Sequence, residues 1–205
     1  MLWLLLLLRN REMLEMTVSK GNIAAAEEQL SEKTLEAETV FSGKVFDVEV
    51  RKIELADGRP ARREIVLHNG GATICALDSE NNIFMVRQFR SPFGKILMEL
   101  PAGKLEKGED PKACAIRELK EETGMTAEKI QDLGFMYSTP GYCSEKIYMY
   151  LATGLSFGDG NPDDGEFLQV IKIPLREAVD KIMQGEISDG KTVAAILKAA
   201  RMVGI

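Results

Sequence analysis

Three glutamates within five residues are the feature of this sequence that most suggests chemistry: Glu118, Glu121 and Glu122. At about 100° per residue in a helix, Glu122 lies about 40° to one side of Glu118 and Glu121 about 60° to the other. Like charges at this spacing repel each other by a few tenths of a kcal/mol per pair. A divalent cation would reverse that effect, and carboxylate oxygens suit Mg²⁺ or Mn²⁺ and not zinc. The alternative is a solvated face on which Arg117 and Lys120 offset the glutamates.

The segment that carries these glutamates predicts a helix with defined ends. Asp110 fits the N-cap, Pro111 fits the first helical position, and Gly124 fits a left-handed C-terminal cap. The helix is therefore expected over about residues 111–123. Its three acidic side chains would lie on little more than one turn.

A loop containing glycines leads into the predicted helix. It runs from Gly103 to Gly108, and Glu109 follows it just before the N-cap. Glu109 could pair with Arg117 and fix the loop to the helix. This organisation favours a metal site, although the solvated charged face remains an alternative at this point.

The rest of the chain mixes strand-like and helix-like patterns. Strands are predicted within 38–68, with a hairpin turn at Asp57 and Gly58, at 71–77 and 82–89, and near 131–137, 146–153 and 167–173; helices are predicted at 22–36, 175–184 and 190–202. Because no regular βαβ order appears, we expect an α+β fold. The predicted organisation is an N-terminal extension with a surface helix, residues 1–37, and one domain, residues 38–205.

Composition limits the classes of function. The 205 residues are 45% hydrophobic and 28% charged, which is typical of a globular domain with a proper core. The 26 Lys and Arg against 32 Asp and Glu give a net charge of −6, so we expect no nucleic acid as the main partner. The single histidine, His68, excludes a multi-histidine zinc site. Three widely spaced cysteines are typical of reduced thiols in the cytoplasm.

The leucine-rich residues 1–8 are a separate question. They are far shorter than the roughly 20 apolar residues that span a bilayer. The positive charge of Arg9 follows the apolar run, whereas a signal peptide carries its charge before the run. We expect an extension from cloning or from an upstream start site, or a sticky leader, with no membrane partner.

The spacing around the three glutamates resembles the Nudix box. Gly103, five residues, Glu109, seven residues and then R-E-L-K-E-E-T-G-M match the pattern G-x5-E-x7-R-E-U-x-E-E-x-G-U, where U is apolar, at every defined position. Nudix hydrolases cleave nucleoside diphosphates linked to another moiety and use a divalent metal. The resemblance implies an α/β/α sandwich with a mixed sheet, in which the box forms a loop–helix–loop.

The resemblance also implies roles within the box. Glu118 and Glu122 correspond to metal ligands, and the backbone carbonyl of Ala102 joins the metal shell. Glu121 corresponds to a ligand of the metal or of the catalytic water. The remaining box positions are structural in the family: Gly103, Glu109, Arg117 and Gly124.

Three neighbouring segments resemble the ADP-ribose pyrophosphatase branch of the family. They are VRQFRSP at 86–92, LMELPAGKLEKGEDP at 97–111 and STPGYCSE at 138–145, with Pro140 about 15 residues beyond the box. The resemblance extends from about residue 39 to 196. It implies that a metal-activated water cleaves ADP-ribose to AMP and ribose 5-phosphate.

The branch implies further site residues. Glu145 corresponds to a glutamate that acts as general base or orients the attacking water. Arg90 corresponds to an arginine that holds the diphosphate or the terminal ribose, whereas Arg87 is expected on the opposite face of the strand. Arg63 and Glu64 correspond to a segment that contacts the adenine or ribose side, often across a dimer interface.

Other interpretations of single residues remain open. Glu145 could be an exposed loop residue paired with Lys146. Phe46 could stack on adenine, although a buried core aromatic is the favoured interpretation. A packed or solvated role is favoured for His68 over a role in substrate binding.

The resemblance further implies a homodimer, and residues 39–66 alternate like a hairpin whose apolar face needs covering. The alternative substrates are another nucleoside diphosphate sugar such as GDP-mannose, NADH, or a diadenosine polyphosphate. A sensor that binds ADP-ribose without cleaving it is a further alternative. The complete set of box glutamates and the lack of a basic helix-turn-helix disfavour it.

Overall fold

A computed structural model describes residues 29–158, 160 and 167–205 of the chain. These residues form two compact units. The first comprises Val48–Ile65 together with the described residues up to Phe41, and the second comprises Ser42–Asp47 and Val66–Ile205. Among the described helices, none combines the length and apolarity needed to cross a membrane.

The first unit is built on a three-stranded sheet. Its strands are β1 (Glu32–Ser42), β2 (Asp47–Leu55) and β3 (Pro60–Leu67), in the order β1-β2-β3. The predicted hairpin turn joins β2 to β3, and Gly58 adopts the left-handed φ of 81° that such a turn requires. The N–H of Leu55 donates to the carbonyl of Arg59 at 2.9 Å, which closes the turn.

The helix predicted over residues 22–36 is confirmed at Gln29, which is helical, but is wrong from Leu30 onwards, where a turn leads into β1. β1 begins at Glu32 and continues to Ser42, whereas residues 22–28 lie outside the described part. Over residues 32–36, pairing with β2 overrides the helical preference of the glutamate, lysine and leucine side chains. An ion pair between Lys52 and Glu36, with 2.6 Å between Nζ and Oε2, joins the two strands.

The second unit is built on a mixed seven-stranded sheet. Five strands follow the order β10-β5-β4-β9-β8, while β6 pairs with β5 and β7 with β4. Their bounds are β4 (Gly71–Leu77), β5 (Asn82–Arg90), β6 (Lys95–Glu99), β7 (Ala102–Lys104), β8 (Met125–Tyr137), β9 (Lys146–Phe157) and β10 (Gln169–Pro174). β4 and β9 are parallel, and the other pairs are antiparallel. The predicted strands are confirmed, although β8 begins earlier than expected.

Within the part of the chain that the structure describes, three α-helices cover the two faces of this sheet. They are α1 (Pro111–Thr123), α2 (Leu175–Met183) and α3 (Gly190–Val203). Along the fully buried β4, Ile74 packs in the apolar cluster that contains α1, whereas Cys75 and Leu77 pack in the cluster that contains α2 and α3. Alternate residues of one strand therefore serve two cores. This arrangement is the α/β/α sandwich with a mixed sheet that the resemblance implied.

Candidate active site

The helix α1 has the ends that its residues predict. The Asp110 side chain accepts a hydrogen bond from the N–H of Ala113 at 2.9 Å, and Pro111 occupies the first helical position. At the other end Gly124 has a φ of 71°, and its N–H donates to the carbonyl of Lys120 at 2.9 Å. Both caps fix the register of the acidic side chains between them.

Arg117 gathers the acidic side chains around α1. Its Nε lies 3.0 Å from Glu109 Oε1, and its Nη1 lies 2.7 Å from Glu118 Oε1 and 2.8 Å from Glu121 Oε2. Its hydrogen bond lowers the pKa of Glu109, and Glu109 in turn raises the pKa of Arg117. The ion pair that the box implies is therefore present, and it ties the preceding loop to the helix.

Gly103 provides the space that Glu118 occupies. A Cβ atom at Gly103 would lie 1.7 Å from Glu118 Oε1 and 2.1 Å from its Cδ, far inside contact distance. The Glu118 carboxylate therefore rests against bare backbone of β7. The resemblance places Gly103 in the box, whereas the physical reason for a glycine there lies in the packing of β7 against α1, which the sequence does not reveal.

Glu122 lies beside the backbone of Ala102. The Glu122 side chain is buried, and its Oε2 accepts a hydrogen bond from the Ala102 N–H at 3.2 Å. The structure thus brings together Ala102, Glu118 and Glu122, all of which offer hard oxygen atoms suited to a divalent cation. Within the described ranges, no three Asp, Glu, His or Cys side chains already enclose an ion position.

A cleft of about 650 Å³ lies beside this group, within the second unit. Five of the residues predicted for the site and the box line it: Arg90, Ala102, Gly103, Glu122 and Glu145. Arg63 and Glu64 belong to the first unit, where Arg63 pairs with Glu32 and Glu64 lies 3.4 Å from Arg62.

Arg90 is held by a buried carboxylate that sequence reasoning missed. Glu99 is 1% exposed, and its oxygens accept from Arg90 Nε at 2.6 Å and Nη2 at 2.7 Å. Lys191, which also lines the cleft, pairs with Glu99 as well and lies 2.9 Å from Asp189. Burial acts to raise the pKa of Glu99, but Arg90 and Lys191 outweigh it and lower that pKa. The sequence signal for this pairing is the single acid within the apolar segment LMEL at 97–100, because a buried carboxylate needs a charged or hydrogen-bonding partner.

The alternation predicted along β5 is reflected in different partners for its two arginines. Arg87 donates from Nη1 to Gln169 Oε1 at 2.9 Å, and Gln169 is its partner on the neighbouring strand β10. Arg90 contacts Glu99 instead and lines the cleft.

Glu145 belongs to a loop that is fastened to Val66, which lies with it in the second unit. Val66 and this loop exchange two backbone hydrogen bonds: the Val66 N–H donates to Tyr142 O at 2.7 Å, and the Ser144 N–H donates to Val66 O at 2.9 Å. The His68 N–H donates to Ser144 Oγ at 2.9 Å, and His68 Nδ1 lies 3.5 Å from Glu145 Oε1. These contacts set the position of the Glu145 carboxylate at the cleft.

The structure bears on the three alternative interpretations of single residues, those of Glu145, Phe46 and His68. Lys146 stacks on the Phe135 ring, with Nζ 3.8 Å from the ring centroid, and its pairing with Glu145 is not among the described ion pairs. Phe46 is 41% exposed, so its interpretation as a core aromatic is wrong. His68 is largely packed, as favoured, since its side chain is 10% exposed.

Comparisons with known proteins agree with this geometry. The NUDIX domain profile matches residues 67–196. The ADP-ribose pyrophosphatase of Bacillus subtilis strain 168 is 43% identical over 169 residues, which cover 82% of this chain and 91% of that protein. The methanol dehydrogenase activator of Bacillus methanolicus is 44% identical over 167 residues, which cover 80% of this chain and 90% of that protein.

A solved structure shares the fold. The crystal structure of an ADP compounds hydrolase superposes with a TM-score of 0.75 at 22% identity, covering 85% of this chain and 95% of its own. The profile match and the two relatives show the family, and the shared fold and the contacts within the box agree with it. The chain belongs to the Nudix family and is a Nudix pyrophosphohydrolase.

Proposed function

We propose that this enzyme hydrolyses ADP-ribose to AMP and ribose 5-phosphate. The observation that carries the proposal is the cleft on which Ala102, Glu122, Arg90 and Glu145 meet. A metal-binding group, an anion-binding cation and a carboxylate base are what hydrolysis of a diphosphate requires. The 43% identity to a protein named ADP-ribose pyrophosphatase supports this choice of substrate.

The proposed cofactor is Mg²⁺, and Mn²⁺ would suit the same donors. Glu118, Glu122 and the Ala102 carbonyl would hold it, with Glu121 as a further ligand of the metal or of the catalytic water. This donor set fits because it is made of hard oxygens and lacks thiolate or imidazole ligands. When bound, a divalent cation neutralises the charge of a diphosphate and acidifies water.

The chain's own residues divide the remaining work. Glu145 accepts a proton from the attacking water, whose oxygen forms a bond to one phosphorus. The bond between that phosphorus and the bridging oxygen breaks, and the bridging oxygen leaves with the other phosphate. Arg90 holds the negative oxygens of the diphosphate, because Glu99 orients its guanidinium from the Nε and Nη2 edge.

Arg63 and Glu64 are proposed to contact the adenine or ribose side of the substrate in a homodimer. Support for a dimer comes from β1, which is exposed along all 11 residues and displays Leu35, Val40 and Phe41 to solvent. Light scattering on the active enzyme would measure its subunit number, and an active monomer would reject this part of the proposal. The proposed location is the cytoplasm, where reduced thiols are the normal state.

A substrate panel tests the choice of ADP-ribose. We expect kcat/KM for ADP-ribose to exceed the values for GDP-mannose, NADH and a diadenosine polyphosphate, measured with the same metal and enzyme preparation. A higher kcat/KM for one of the others would leave the family assignment intact and reject the proposed substrate.

A second candidate function is activation of a methanol dehydrogenase. It is favoured by the 44% identity to a methanol dehydrogenase activator. The test adds this protein to a methanol dehydrogenase and measures the rate of methanol oxidation, with Glu122→Gln in parallel. Activation by the parent protein supports this function. Activation that is retained by Glu122→Gln would show that activating the dehydrogenase does not require hydrolysis. No activation would reject it for the dehydrogenase used.

Arg90 and Glu99 should affect substrate binding together. Losing a hydrogen bond to a charged group costs about 1.5–3 kcal/mol, so Arg90→Ala should raise KM for ADP-ribose by about tenfold or more. Glu99→Gln should also raise KM, because the amide cannot hold the guanidinium with two charged oxygens. Arg87→Ala is the matched control, since Arg87 lies on the same strand and pairs with Gln169. Equal losses of kcat and kcat/KM would place the Arg90 contact in the transition state instead.

A further inference from the structure

The Ser138 hydroxyl is a buried polar group without a partner. Among the described residues, Ser138 Oγ is the one buried side-chain N or O atom that makes no hydrogen bond. Buried hydroxyls almost always have hydrogen-bond partners, because a hydroxyl without one has lost its hydrogen bonds to water and gained none in the protein. Ser138 is one of the residues that line the cleft. A partner supplied from the cleft would satisfy it.

Strand pairing places Ser138 beside Glu145. The last register pair of β8 and β9 is Tyr137 with Lys146, and beyond it the Ser138 N–H donates to the Glu145 carbonyl at 3.5 Å. Residues directly opposite each other in an antiparallel pair project to the same face, with Cβ atoms about 5 Å apart. The Ser138 hydroxyl and the Glu145 carboxylate are therefore neighbours on one face.

The residues around this pair confirm which face it is. Met136 and Ile147, the register pair two positions from Ser138 and Glu145, also line the cleft. Lys146, on the intervening pair, stacks instead on the ring of Phe135. Alternation along both strands thus directs Ser138 and Glu145 towards the cleft.

We propose that Ser138 is a catalytic residue whose hydroxyl hydrogen-bonds the attacking water that Glu145 deprotonates, an inference that rests on the proposed function. Rotation about the Cα–Cβ bond moves Oγ between staggered positions and can turn it towards the cleft. The hydroxyl would then accept or donate one hydrogen bond and fix the water's orientation, while Glu145 takes the proton. Ser144 cannot serve in this way, since its Oγ is engaged with His68.

Three variants test this inference: Ser138→Ala, Ser138→Thr and, as a matched control on β9, the exposed Ser156→Ala. A neutral hydrogen bond corresponds to a change of about two- to tenfold, so Ser138→Ala should lower kcat by that factor with KM within about twofold of the parent. Ser138→Thr keeps the hydroxyl and should retain kcat. The urea midpoint of Ser138→Ala without metal or substrate should equal or exceed that of the parent, because no internal hydrogen bond is lost.

Several results would overturn the inference. An unchanged kcat in Ser138→Ala would overturn it, and so would an equal loss of kcat in Ser138→Thr. A lowered urea midpoint of Ser138→Ala would also overturn it, because it would reveal a structural role. A change in KM alone would show a substrate contact and not a contact to the water. If the parent cleaves a different nucleoside diphosphate derivative, only the proposed substrate is rejected. The kcat of the same variants is then measured with that derivative, since hydrolysis of each of these substrates requires an attacking water. A parent that cleaves none would overturn both.

Discussion

Glu122→Gln should lower kcat for ADP-ribose hydrolysis by about two to three orders of magnitude, the usual scale for loss of a charge-stabilising group. Glutamine replaces one carboxylate oxygen with an amide and removes the negative charge that a divalent cation would neutralise. Its remaining oxygen can still accept the hydrogen bond from the Ala102 N–H, which is 3.2 Å from Glu122 Oε2 in the parent. The free energy of unfolding should therefore change little.

Two measurements separate this effect from a folding defect. Calorimetric titration with Mg²⁺ should show weaker binding to Glu122→Gln, and the urea midpoint of the variant should match the parent. Glu106→Gln is the control, because Glu106 is an exposed glutamate in the loop that precedes α1. Parent-like kcat in Glu122→Gln would remove Glu122 from the metal site.

Gly103→Ala should also reduce kcat by orders of magnitude, by displacing Glu118. The added Cβ would lie 1.7 Å from Glu118 Oε1, so the carboxylate must move by ångströms. Glu118 Oε1 also lies 2.7 Å from Arg117 Nη1, and its movement would disturb the ion pairs that join the loop to α1. Misplacement by about 1 Å at an active site is enough to cost about a hundredfold in rate.

Gly185→Ala is the matched control for this substitution. Gly185 has a φ of 78°, and its added Cβ would meet nothing within 4 Å. This variant should lose about 1–2 kcal/mol of stability through backbone strain while keeping the parent kcat. If Gly103→Ala retained both parent kcat and parent Mg²⁺ affinity, Glu118 would not be a metal ligand in the position seen here.

The site helix could be predicted because its information is local. Asp110, Pro111 and Gly124 mark the ends of α1, and each acts on its own neighbours within one turn. The strands β4 and β5 could be predicted equally well, since their apolar runs are bounded by turn residues, and both lie where predicted. Resemblance then supplied the chemistry that spacing left undecided between a metal site and a solvated face.

Contacts between distant parts of the chain could not be predicted in this way. Residues 32–36 of β1 are in a strand because β2 offers them backbone partners, although a helix was predicted there. Glu99 and Lys191 lie 92 positions apart and meet only because β6 and the start of α3 approach each other. Phe46 is exposed although it is aromatic, because the turn between β1 and β2 leaves it outside the apolar clusters.

The most direct test of the account is to incubate the enzyme with ADP-ribose and Mg²⁺ and to separate the products by chromatography, with Glu122→Gln and a sample containing a chelator alongside. AMP and ribose 5-phosphate in equal amounts, formed by the parent with metal alone, is the predicted result. Equal product formation by the Glu122→Gln variant or in the presence of the chelator would contradict the assignment of the metal site. Failure of the folded parent to cleave ADP-ribose would contradict the proposed activity.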